Sequence, residues 1–150
     1  MLFTALVRML SVQVFLLVGL SQQTPTLTQP GGAKLALTGT GRQLYSCSGG
    51  TWVSTGADAQ LSAPGRGTVG HHYFEGGRPV FNLGNGGMVY AIKRGSQPAP
   101  GQGNIPWLTL TATSGPYSTV TRTNTQGGVA PAGGCQSGQS TSVPYSALPT

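Results

Sequence analysis

Thr68-Val69-Gly70-His71-His72-Tyr73-Phe74-Glu75, followed by Pro79-Val80-Phe81-Asn82-Leu83 and, after Gly84-Asn85-Gly86-Gly87, by Met88-Val89-Tyr90-Ala91-Ile92-Lys93, decides the fold class. No 3.6-residue apolar period runs through these residues. Short runs rich in Val, Tyr and Phe are cut by glycine clusters, which is the pattern of strands and tight turns. The same texture extends outward in both directions. Strands are predicted at Lys34–Leu37, Arg42–Cys47, Thr51–Ser54, Thr68–Phe74, Pro79–Leu83, Met88–Lys93, Trp107–Thr113, Ser118–Asn124 and Ser142–Ala147. Ser48-Gly49-Gly50 reads as a hairpin loop between the second and third, and Gly84–Gly87 as the turn between the fifth and sixth. Eight to nine short strands with close turns imply an all-β domain, an antiparallel β-sandwich or small barrel. Gly95–Gly103 and Gly127–Gly134 are too rich in Gly and Pro for regular structure and read as long loops.

The 150-residue chain has room for one domain. Residues 1–21 combine the basic Arg8, an apolar run from Met9 to Leu20 and small residues at Gly19 and Ser21, the pattern of a secretory signal peptide. The run is shorter than a membrane span and is interrupted by Gln13. The expected organisation is therefore a signal peptide over 1–21, an extended N-terminal tail over 22–32, and a single β domain over 33–150. Once the signal is removed, no membrane association is expected. Export to an oxidising compartment makes the two cysteines, Cys47 and Cys135, most simply one disulfide. It would close a loop of roughly 90 residues, a stabilisation of about 4–5 kcal/mol by chain entropy.

The net charge is +6, falling to +5 without Arg8. The remaining basic residues are scattered and only Lys93-Arg94 are adjacent, which argues against a nucleic-acid partner. A mild positive field suits an extracellular domain and would attract anionic wall polymers.

Titratable groups are scarce, with two histidines and two acidic residues, Asp58 and Glu75. On a strand, adjacent side chains face opposite sides. His71 would share a face with Val69 and Tyr73, and His72 with Gly70 and Phe74, so the pair cannot ligate one metal from a regular strand. No metal and no cofactor are predicted. A Ser-His-Asp triad would need Asp58, and no G-x-S-x-G elbow is present. Glycoside hydrolysis would require Asp58 and Glu75 as its carboxylate pair. Gly39-Thr40-Gly41 begins like a dinucleotide fingerprint, but Leu44 stands where the third glycine belongs and no helix pattern follows. Aromatic residues such as Tyr45, Trp52 and Trp107 could stack on sugars, although core packing is their usual work in strands.

Four segments in order resemble a known family: Gly39–Cys47 (GTGRQLYSC), Val69–Phe74 (VGHHYF), Ile105–Leu110 (IPWLTL) and Asn124–Cys135 (NTQGGVAPAGGC). The chain resembles a secreted domain-of-unknown-function family of fungi and bacteria whose fungal members often carry a malate dehydrogenase label. The resemblance spans residues 33 to 147. It implies a signal peptide, a β-rich fold and cysteines at the positions of Cys47 and Cys135. It also implies a G-x-H-aromatic element on Gly70, His72 and Tyr73, which singles out His72. Family members end in a strand with several aromatics, whereas this chain stops at Leu148-Pro149-Thr150, which implies a shortened last strand and an open sheet edge. A malate dehydrogenase needs a dinucleotide fold, which the all-β pattern excludes.

The expected protein is thus a secreted binding or structural module, acting outside the cell or at its surface. His72, Tyr73 and Glu75 are the candidate binding residues, and a cell-wall glycan or surface polymer the candidate partner. The catalytic residues stay unassigned. The alternatives are a small hydrolase-like or metal-assisted enzyme centred on His72 with Glu75 or Asp58, and a secreted host-interaction protein.

Overall fold

The computed structural model describes residues 25–147, so the expected signal peptide lies outside the described residues. Eleven strands follow one another: β1 (Thr26–Thr28), β2 (Lys34–Ala36), β3 (Thr38–Ser48), β4 (Thr51–Ala63), β5 (Gly67–Glu75), β6 (Arg78–Asn82), β7 (Met88–Gln97), β8 (Trp107–Ser114), β9 (Thr119–Arg122), β10 (Thr125–Gly127) and β11 (Ser140–Ala147). They form one sheet, in the order β10-β11-β3-β4-β5-β6-β7-β8-β9-β1-β2. Every described pairing is antiparallel. Of the two expected architectures, the sheet takes the barrel-like one, curling into a half-barrel.

The curl has local causes. Register shifts at Leu44/Tyr45, Leu61/Ser62, Tyr90/Ala91 and Lys93/Gly95 each bend a strand and add twist. The two ends of the sheet consequently approach each other. Edge strand β2 runs through the single residue Leu37 into β3, near the opposite edge. Farther along, Asn104, ahead of β8, bridges Gly128 behind β10, and the Ile105 N–H donates to the Gly127 carbonyl at 3.0 Å. Sheet edges are commonly covered in this way.

Hairpin β3–β4 turns on Gly49-Gly50, with φ of 59° and 82°. Two consecutive positive φ values are what a two-residue hairpin requires. Farther down the same hairpin, β3 and β4 approach so closely that a Cβ on Gly41 would lie 2.0 Å from the Asp58 carbonyl oxygen. Only glycine fits there.

Several expectations change. Thr26–Thr28, placed in the N-terminal tail, is strand β1, paired to both β2 and β9. The third predicted strand continues from Ser54 to Ala63, because pairing with β3 holds residues of low strand propensity such as Gly56, Ala57 and Asp58, and from Ala59 onward β5 pairs on the other side as well. Gly95–Gln97 belongs to β7 rather than to a loop, and Thr125–Gly127 adds β10. The last strand, β11, pairs with β3 along its whole length, and the short edge strand β10 covers its other side only over Tyr145–Ala147.

Cys47 and Cys135 form the expected disulfide, with Cα atoms 5.8 Å apart. It ties the hairpin end of β3 to the loop before β11. The concave side holds two apolar clusters. The larger gathers Leu27, Leu37, Leu61, Phe81, Leu83, Val89, Leu110 and Val120, and the smaller Ala57, Ala59, Ile105 and Tyr145.

Candidate functional site

Strand alternation separates the two histidines as expected, and their surroundings differ accordingly. His71 is on the solvent side, its Nε2 2.6 Å from Asp58 Oδ1 and its ring 5.3 Å from that of Tyr73. Glu75 lies on the same side, where its carboxylate accepts a 2.6 Å bond from the Tyr90 hydroxyl. The Arg78 guanidinium sits 5.5 Å from the Tyr90 ring centre. The hydrogen bond that the Tyr90 hydroxyl gives to Glu75 favours the protonated phenol and raises the Tyr90 value. Both acidic side chains of the chain are therefore engaged on the outside.

His72 is buried on the concave side. It belongs to a cross-sheet row Tyr145, Gly41, Ala59, His72, Phe81 and Val89, in which the small Gly41 and Ala59 leave room for the ring. The imidazole stacks on Phe81 with centroids 4.3 Å apart, and its Nδ1 donates to the Val80 carbonyl at 2.9 Å. That bond fixes the tautomer, leaving Nε2 unprotonated. Burial lowers the His72 value to about 4, so the ring is neutral at physiological pH. An enzyme centred on His72 needs a carboxylate or hydroxyl on this ring. The ring instead bonds to backbone, and both carboxylates face the other way.

A cleft of about 410 Å³ opens on the concave side, close to His72. Its walls are apolar: Phe74, Pro79, Ile105, Pro106, Leu108 and Leu110. Its polar residues are Gln43 and Tyr45 from β3, Ser54 from β4, Arg78 from β6, Lys93 and Ser96 from β7, and Arg122 from β9. The Tyr45 hydroxyl donates to the Gly128 carbonyl at 2.6 Å, and Arg122 Nη2 donates to the Pro106 carbonyl at 2.7 Å. Gln43 Oε1 and Arg122 Nε are buried without a hydrogen-bond partner. Burial raises the Tyr45 and Tyr145 values and lowers that of Arg122. A guanidinium nevertheless keeps its charge in proteins. A smaller cavity of about 30 Å³, lined by His72, Phe74, Tyr145 and Arg122 among others, lies beside the cleft.

The three residues nominated from sequence are therefore split. His72 is on the concave side, while Tyr73 and Glu75 face solvent, so no single pocket brings them together. Sequence reading passed over Arg122 and Gln43. A signal for Arg122 was present: it stands two residues after Val120 in β9, so a charge occupies the inward face of a strand. Among the described residues, no group of three or more His, Cys, Asp or Glu could hold a metal ion.

No curated protein and no solved structure matches the chain. A family model described as a protein of unknown function, DUF3455, matches residues 62–148, more than half of the sequence. The chain thus belongs to the DUF3455 domain-of-unknown-function family.

Proposed function

We propose that the protein is an exported binding module that takes a small ligand into the concave cleft of its half-barrel. The observation that carries this reading is the unfilled volume itself. Protein interiors are close-packed, and about 410 Å³ bounded by apolar walls with a few convergent polar groups is the size and make-up of a small-molecule site. The segment 1–21 and the disulfide support export, and the all-β sheet weighs against the dehydrogenase label of the fungal branch. Nile red, a neutral apolar dye, tests the cleft. Its fluorescence should rise saturably with the native protein and stay low with Ser54→Trp, which fills the cleft from an exposed position on its lining. Equal dye binding by both proteins would remove the cleft as the site.

One observation favours a second reading, contact with a surface glycan. On the outer side, Trp107 borders a groove of about 220 Å³ with Gln97, Thr109, Thr121 and Thr123, and its buried Nε1 has no partner. Indole faces and hydroxyl-rich surroundings suit sugar rings. Retention on a glycan array that disappears with Trp107→Phe would support this groove, and no retention of the native protein would end the reading.

A further inference from the structure

We propose that the concave cleft recognises an organic anion, a carboxylate attached to an apolar body, with the Arg122 guanidinium as its counter-charge. The inference rests on the cleft being a binding site and adds the chemistry of what it binds.

Among the described residues, Arg122 has no carboxylate partner in the cleft. The chain has only Asp58 and Glu75 to offer, and both are engaged on the outer surface with His71 and Tyr90. A cation removed from water is costly unless an opposite charge and hydrogen bonds compensate it. The compensation described within the fold is one bond from Nη2 to the Pro106 carbonyl, while Nε has none. A guanidinium carries five donors in a planar fork that matches a carboxylate, so most of the Arg122 capacity is unspent. A second orphan, Gln43 Oε1, belongs to the same lining.

Two features specify the rest of the ligand. Lys93 lines the cleft at an exposed position, so the path inward passes a cation, and no acid contributes to the lining. That arrangement favours entry of an anion. The walls of Phe74, Ile105, Pro106, Leu108 and Leu110 would leave a bare inorganic anion without contacts over most of its surroundings. An alkyl or aryl body buries against them and contributes in proportion to its apolar area.

Calorimetric titration of the purified disulfide-bonded protein with octanoate, 1-octanol and acetate at neutral pH separates these contributions. Octanoate should bind about ten-fold more tightly than 1-octanol, and acetate more weakly than either. Arg122→Gln should abolish the preference while leaving 1-octanol binding in place, and Arg122→Lys should restore part of it. If Arg122→Gln does not fold, as judged by circular dichroism, the exposed rim variant Lys93→Glu provides the second measurement. It should weaken octanoate several-fold, more at low salt, and leave 1-octanol unchanged. Equal affinities of the native protein for octanoate and 1-octanol would overturn the anion assignment and leave the cleft reading standing. Binding of neither would overturn both.

Discussion

The outer face around β5 and the concave face beneath it treat charge in opposite ways. Outside, Asp58 meets His71 and Glu75 meets Tyr90, each at 2.6 Å and each in contact with water. Inside, Arg122 faces Gln43, Tyr45, Tyr145 and a neutral His72, with no carboxylate among the described residues. In water a charge needs little help, so the outer pairs are nearly neutral energetically. In the sheltered cleft the same charge has one described hydrogen bond, from Nη2 to the Pro106 carbonyl, so its desolvation is poorly compensated. The solvent-exposed Asp58–His71 contact is therefore weak evidence of function, and the poorly compensated Arg122 is the stronger.

The largest expected effect concerns the framework that keeps the two faces distinct. Replacing Cys47 and Cys135 together by serine releases a loop spanning 88 residues, which should cost about 4–5 kcal/mol in urea unfolding. An unchanged unfolding midpoint would show that the half-barrel closes without its covalent tie. The next effect belongs to His72. Its folded value is about 4 against 6.5 for the free group. Between those values the unfolded chain binds a proton that the folded chain does not. Stability should therefore be complete above about pH 6.5 and fall as pH drops toward 4, by about 3 kcal/mol. His72→Gln should flatten that dependence, and a slope that persists in the variant would place its origin elsewhere.

The remaining two variants compare the faces directly. Arg122→Met replaces a poorly compensated, half-buried cation by an apolar side chain of similar length. It should raise stability by about 1 kcal/mol, read as a higher urea midpoint in the absence of ligand. A loss of stability would mean that the fold needs the cation, and the contrast between the faces would weaken. Asp58→Asn on the outer face should lower stability by about 0.5 kcal/mol or less, since the pair is exposed.

Much of the fold was legible. All nine strands read from β-branched and aromatic runs are present, and both glycine turns fall where expected. The unread pieces share a physical reason. Thr55–Ala63 and Thr125–Gly127 have little strand character of their own, and Thr26–Thr28 is a three-residue run between Pro25 and Pro30; each is extended because neighbouring strands pair with it. The site was less legible. Alternation placed His71 and His72 on opposite faces correctly, yet the same rule did not show that the partner of Asp58 is His71, across two strands. Arg122 was counted as one of several scattered cations because Gln43 and Tyr45 of β3 and His72 and Phe74 of β5, which surround it, are distant in sequence.

The sequence by itself determined the strand content, the turns, the scarcity of carboxylates and the cysteine pair, since each depends on local chemistry or composition. Only the tertiary structure decided that the sheet curls on itself. That curl carries Arg122 of β9 over to Gln43 and Tyr45 of β3 and leaves both acids outside. Long-range strand order is set by pairing and bulges acting together, and no local window of residues contains that information.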